Sequence, residues 1–201
     1  CFDLARDGGD YVFACTSLSD RPALRRLNAT GRPAPWASGA PAEAQAAPAR
    51  FMVRTLARDS AGRWVAVGPV SAAYSDSSSP VAAVRFLPDG SQDRAYGVGG
   101  VAVFLGPRQT FGYSYASASR LGCEDRLLLG ASYGVFPVVG VVDAAGAPFE
   151  ALGDNGGLLM PLRSGSGAAV VSAIVPVPGS QDVIAVVTHN PGATTLHRLS
   201  L

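Results

Sequence analysis

Four segments of this chain can be laid beneath one another at a nearly constant interval, and no other sequence feature narrows the fold so far. RRLNATG (25–31), VRFLPDG (84–90), GVVDAAG (140–146) and HRLSL (197–201) align so that Leu27, Phe86, Val142 and Leu199 stand 59, 56 and 57 residues apart. A second ladder runs in step with the first: LARDGGDYVFAC (4–15), LARDSAGRWVAVG (56–68), SRLGCEDRLLLG (119–130) and VPGSQDVIAVVT (177–188), each a strand, a polar turn and another strand. Self-similarity at a fixed period is the mark of an array in which one supersecondary unit buries its apolar face only against its neighbours.

The unit is made of strands. Short apolar runs such as RWVAVG, VAAVRFL, GVAVFL, FPVVGVV and DVIAVVT recur between Gly, Asp, Pro and Ser turns, and the one Ala-rich helical candidate, 41–50, is fenced by Pro41 and Pro48. The fold class is therefore all-β: about four strands, A to D, in about 57 residues, the content of a propeller blade, in about four blades forming a small closed ring or an open array completed by another chain. The chain reads as a single β-propeller domain, 1–201, with repeats at approximately 1–49, 50–105, 106–162 and 163–201. In the third unit the strands are placed at 113–121, 125–132, 136–143 and 157–162, whereas the first unit offers no alternating D strand. The chain opens inside the first A strand and closes on the fourth C strand.

The stretch after the second C strand carries a specific pattern: Arg85, Phe86, Asp89, Gly90, Ser91, Asp93, Tyr96, Gly97 and Gly100. It resembles the bacterial delta-60 β-propeller repeat, in which an Arg-apolar pair is followed by Asp-Gly-Ser, an Asp, an aromatic residue with Gly, and a further Gly before a strand. The next copy keeps Gly146, Gly153 and Gly156 but has Ala145, Phe149 and Leu152 at the other positions; the earlier copy keeps Arg26, Leu27, Gly31, Trp36 and Gly39. The resemblance implies a propeller fold and carries no catalytic residue with it.

Composition excludes several functions. Charged residues are 15% of the chain, the net charge is +1 and the charges are scattered, so there is no basic stripe for nucleic acid. The basic residues are all Arg, which removes lysine Schiff-base and general-base chemistry. No apolar run approaches the roughly 20 residues of a membrane helix. No basic, apolar leader precedes Cys1, so the chain reads as a mature or trimmed product.

The motifs that suggest chemistry have plainer readings. Gly97-Val98-Gly99-Gly100 precedes a strand, whereas a phosphate-cradling loop precedes a helix, so these glycines are read as a turn. Asp89, Ser91 and Asp93 lack the ligand count of a calcium loop, and no zinc-ligand spacing occurs, so no metal and no cofactor are expected. RSGSG (163–167) has its glycines misplaced for a nucleophile elbow, and no catalytic residue is assigned. His197 alternates within a C strand as a structural residue; His189, in the B to C connection THNPG, is the histidine with a candidate site role.

Cysteines stand at 1, 15 and 123. A first hairpin turning at Asp7-Gly8-Gly9 sets Cys1 opposite Cys15, close enough for a disulfide in an oxidising compartment. The rival is acylation of Cys1 as in a lipoprotein; Cys123 is a lone thiol or an intermolecular partner.

In antiparallel blades the A–B and C–D connections leave one face and the B–C and D–A connections the other. The first face receives compact charged turns. The second receives 69–80, 106–115, 132–136, 188–192 and, on this reading, 31–50, richer in aromatic and hydroxyl residues. The candidate binding residues are accordingly Trp36, Tyr74, Asp76, Arg108, Phe111, Tyr113, Tyr133, His189 and Asn190. The leading function is a non-catalytic, extracytoplasmic bacterial interaction or scaffold module, periplasmic, cell-surface or secreted, that binds a protein or glycan partner as a subunit of an envelope or extracellular assembly; another propeller-forming chain is one such partner. The alternative is a propeller hydrolase or lyase with an axial site using His189, Asp76 and Arg108.

Overall fold

The computed structural model describes residues 3–16, 21–36, 43–45, 51–70, 80–104, 114–133, 135–153, 156–162 and 167–201. They form four antiparallel sheets in chain order. The first holds β1 (Asp3–Asp7), β2 (Asp10–Thr16), β3 (Pro22–Leu27) and β4 (Glu43–Gln45), and the second β5 (Thr55–Arg58), β6 (Trp64–Pro69), β7 (Val81–Phe86) and β8 (Val101–Phe104). The third holds β9 (Ser114–Leu121), β10 (Leu127–Tyr133), β11 (Phe136–Val142) and β12 (Gly157–Leu159), and the fourth β13 (Ala168–Pro176), β14 (Val183–Asn190) and β15 (Ala193–Leu199). Each sheet is a meander of sequential strands, so three have four strands and the last has three. Among the described residues no helix is long and apolar enough to cross a membrane.

Two expectations are corrected. The first unit does have a fourth strand: β4 pairs with β3 through Ala23–Gln45 and Arg25–Glu43, although three residues are too few to show alternation in sequence. The first hairpin turns on Gly8-Gly9 alone, so Asp7 faces Asp10 and Asp3 faces Ala14, one residue out of the register that sets Cys1 against Cys15. Gly8, at φ 61°, takes the positive φ that a tight two-residue hairpin demands at its first position. Cys15 is buried and disulfide-bonded; Cys1 lies outside the described residues.

The sheets stack face to face in chain order, and the packing explains why the strands read as continuous apolar runs. On β6, Trp64 and Ala66 enter the core shared with the first sheet, where Val12, Ala14 and Leu24 meet them; Val65 and Val67 enter the core shared with the third, against Leu127 and Leu129. A strand buried on both faces has no polar side to show. The third core, between the third and fourth sheets, joins Leu128, Val139 and Val141 to Val171, Ile174, Val183, Ala185 and Val187. Contacts run between β1 and β5, β5 and β9, and β9 and β13, so the first strands of successive sheets are neighbours, as in a propeller.

The repeated joint after the third strand has one hydrogen-bond scheme. Gly31, Gly90 and Gly146 N–H groups donate to Asn28, Leu87 and Asp143 carbonyls, and Ala34, Asp93 and Phe149 N–H groups donate back to Arg26, Arg85 and Val141. The middle copy also clasps the next sheet. Buried Arg85 pairs with Asp93 at 2.8 Å, lies 4.3 Å from the centre of the Tyr96 ring, and donates through Nη1 to the Ala144 carbonyl at 2.6 Å. The Gly97 N–H donates to the Ala145 carbonyl at 2.7 Å. Burial pushes the Tyr96 phenol far above its ordinary range, partly offset by the Arg85 charge, so Tyr96 stays neutral. Glycine is required at the receiving turn for two reasons. Gly146 has φ 91°, and a Cβ there would fall 2.4 Å from the Gly97 nitrogen; Gly90 has φ 85°, and a Cβ there would fall 2.7 Å from the indole of Trp36.

Candidate functional site

The site begins with the alternation of β14. Val183, Ala185, Val187 and His189 point toward the third sheet; the first three complete the core, and the fourth reaches the end of the strand, still only 2% exposed. His189 is therefore the last residue of a buried column and belongs to a strand, not to the B to C connection expected from the sequence. The register Ala169–His189–Ala193 sets it in the middle strand of its sheet. The start of β13 is tied down on both sides: the Ala169 N–H donates to the Val135 carbonyl of the third sheet at 2.9 Å, and the Gly167 N–H to the Asn190 carbonyl at 3.1 Å.

An open cavity of about 430 Å³ lies at this end, between the third and fourth sheets, lined by Ser132, Ala169, Thr188, His189, Asn190 and Gly192 among others. Its volume lies within the range of small-molecule sites. It opens at the end of the sheets where B strands finish and A strands begin, opposite the joints that carry Gly90 and Gly146.

The two ring nitrogens of His189 differ. Nε2 lies 2.9 Å from Thr195 Oγ1, which in turn lies 2.9 Å from His197 Nε2. Nδ1 is buried and has no hydrogen-bond partner among the described residues. A buried imidazole nitrogen left without a partner is costly as structure, which singles out His189 among the residues lining the cavity. Thr195 and His197 share the inward face of β15, opposite Val187 and Ala185, and both are partly buried.

The other expected site residues separate. Asn190 is exposed beside His189. Trp36 is 2% exposed in the core between the first and second sheets, against Gly90, with Arg26 above its ring at 5.9 Å. It sits in the connection between β3 and β4, at the joint end, and is thus on the face opposite His189 and offers no surface to a partner. The cause is β4: with a fourth strand at 43–45, residues 28–42 become a C–D connection. Tyr133 ends β10, paired with Ser114 and Phe136. Tyr74, Asp76, Arg108, Phe111 and Tyr113 lie outside the described residues. Thr195, which the sequence did not single out, and His197, read from it as a structural residue, stand in a hydrogen-bonded chain with His189. The signal was present: Asn190-Pro191-Gly192 read as a tight turn pairs 189 with 193 and puts 189, 195 and 197 on one face. Among the described residues no group of three or more His, Cys, Asp or Glu side chains could hold a metal ion.

No protein-family model and no curated protein sequence matches the chain. Solved structures do match its shape. Virginiamycin B lyase from Staphylococcus aureus, as a catalytically inactive histidine-to-alanine variant with quinupristin, superposes at a TM-score of 0.52 and 12% identity over 99% of this chain and 55% of its own. A quinonprotein alcohol dehydrogenase-like protein from Bacteroides thetaiotaomicron gives 0.53 and 12% over 100% of this chain and 43% of its own. The GH43 endo-arabinanase from Bacillus licheniformis gives 0.52 and 12% over 98% and 70%. The chain spans about half the length of the first two of these. Likeness at this identity establishes a β-propeller-like fold and leaves the activity to the site.

Proposed function

We propose that the chain contributes to a propeller hydrolase or lyase whose reaction centre lies on the face bearing His189, with the Nδ1 atom of His189 as the proton-transfer group. One observation carries this reading: a histidine 2% exposed, lining an open cavity, with one ring nitrogen held by Thr195 and the other unpartnered among the described residues. A general base needs that arrangement, one nitrogen oriented by the protein and one left for the substrate. In a hydrolase Nδ1 takes a proton from the attacking water. In a lyase it takes the proton beside a carbonyl while the C–O bond breaks and the leaving oxygen departs with the electron pair. Asp76 and Arg108, which lie outside the described residues, are the proposed acid partner and anion-holding group. The fold supports the reading, since the matched propellers include a lyase and an arabinanase. The disulfide at Cys15 supports an extracytoplasmic location, and the shared joints support membership of the delta-60 repeat family.

The test is turnover by the full chain of quinupristin, for ester elimination, and of arabinan, for glycosidic cleavage. Expected is product from one class, reduced about 100-fold or more by His189→Ala with the melting temperature kept. Saturable binding without product from either would overturn the enzyme reading and favour the non-catalytic protein- or glycan-binding module.

A further inference from the structure

The Thr195 hydroxyl stands between two imidazoles, 2.9 Å from Nε2 of His189 and 2.9 Å from Nε2 of His197. It has one hydrogen and two lone pairs, so it can donate to one ring and accept from the other, or accept from both; the two rings are its hydrogen-bond partners among the described residues, and only the first arrangement uses its hydrogen. In that arrangement the two neutral histidines hold opposite tautomers. Either His189 carries hydrogen on Nε2 and His197 on Nδ1, or the reverse. The first state leaves the buried, unpartnered Nδ1 of His189 as a lone pair; the second leaves it as an orphaned N–H, which is the costlier thing to bury. The resting state is the first, with His189 poised as a base.

We propose that Thr195 and His197 form a proton relay that moves positive charge from buried His189 to partly exposed His197. This rests on the reading of His189 as the proton-transfer group. When Nδ1 of His189 takes a proton from a substrate, the Nε2–H bond of His189 breaks and its proton passes to Thr195 Oγ1. The former Thr195 hydroxyl proton passes to Nε2 of His197. His189 ends neutral with hydrogen on Nδ1, Thr195 is again a hydroxyl, and His197 is the imidazolium; the atoms and the single charge balance without another reactant. The direction follows from burial. A charge on His189, 2% exposed, sits away from water, whereas His197 on β15 is partly open to it. His197 and Thr195 are positioning residues, and His189 alone meets the substrate.

The chain has two histidines, so labelling the full chain with 15N-histidine gives two imidazole spin systems, assigned by one His197→Gln variant. Nitrogen–proton correlation spectra at a pH where both rings are neutral are expected to show one Nε2–H and one Nδ1–H tautomer. Thr195→Val, which keeps the β-branched shape suited to a strand, is expected to abolish that opposition, and Thr195→Ser to restore it. Both rings in the same tautomer in the wild-type chain, or opposed tautomers that survive Thr195→Val, would overturn the relay. Should Thr195→Val fail to fold, the wild-type tautomers alone decide the matter. The readout uses no substrate, so a chain with the relay but no turnover would refute the enzyme reading and not the coupling.

Discussion

Arg85 and Arg198 hold the same place in their sheets, next to Phe86 and Leu199 on the third strand, yet their surroundings differ. Arg85 is buried, paired with Asp93, stacked on Tyr96 and bonded to the Ala144 carbonyl of the next sheet. Arg198 has a side chain 69% exposed and turns back to Asp182 in its own sheet. Their neighbours divide in the same way. Val65, Val67, Val81 and Ala83, on the side of the second sheet that faces the third, are at most 2% exposed. On the corresponding side of the fourth sheet Val175 is 46% and Leu196 70% exposed, and Ile184 and Val186 are partly exposed. The strands are equally apolar; what differs is that one face meets another sheet and the other meets none among the described residues. An apolar strand thus states a readiness for cover, and only the neighbouring sheet turns it into stability.

Four paired experiments can break or sharpen this contrast. The largest effect is expected for Asp93→Ala, which strands the Arg85 charge inside the protein and should cost about 3–5 kcal/mol in urea unfolding; Asp182→Ala, which removes an exposed pair, should lower the midpoint far less. Equal losses would mean that the two arginines are not differently placed. Next, Leu128→Ala, fully buried between the third and fourth sheets, should cost about 2–5 kcal/mol. Leu196→Ala should stay within about 0.5 kcal/mol, and a loss above about 1 kcal/mol would show that the outer face of the fourth sheet is covered in solution.

A third pair separates backbone conformation from packing. Gly179 and Gly90 both have positive φ, 75° and 85°, but a Cβ at Gly179 meets nothing within 4 Å while one at Gly90 strikes Trp36. Gly179→Ala should cost about 1–2 kcal/mol for the left-handed conformation, and Gly90→Ala about 1–3 kcal/mol more for overpacking. Thermal melts giving equal losses would remove Trp36 from the joint. The smallest effect concerns acid. Hydrogen bonds from Ser200 and then Arg198 hold the Asp182 carboxyl below its ordinary value, as hydrogen bonds from Ser91 hold Asp89. A depressed folded-state value contributes stability that is present above about pH 4, the unfolded carboxylate range, and lost as pH falls through the folded value. Ser200→Ala should move the Asp182 titration midpoint upward in carboxyl-carbon NMR, leaving Asp89 unchanged; no upward movement would remove the Ser200 hydroxyl from that carboxylate.

Much of the fold was legible because its signals are local. Val, Leu and Ile runs bounded by Asp, Gly and Pro marked the strands, and the spacing of Leu27, Phe86, Val142 and Leu199 set the four sheets in order. The glycines at 97, 99 and 100 take positive φ, as the turn reading required. The site was less legible. Loop order placed His189 at the B to C end of its sheet, and a cavity at that end is lined by His189. Trp36 was misplaced because the three residues of β4 were too short to recognise, which reversed the side of its connection. The link from His189 through Thr195 to His197 was not legible because it depends on register across a hairpin and on diagonal reach between strands.

By itself the sequence determined the period, the strand content and the turn chemistry, since these depend on residues within a few positions of one another. The joint at 85–100 was also written locally, in its Arg, Asp, aromatic and Gly order. Only the tertiary structure decided which faces are covered, that Arg85 is a buried clasp while Arg198 is a surface residue, and that two histidines share one hydroxyl. Those outcomes turn on which sheet packs against which and on the register between strands, and neither distance is encoded in any one segment of the chain.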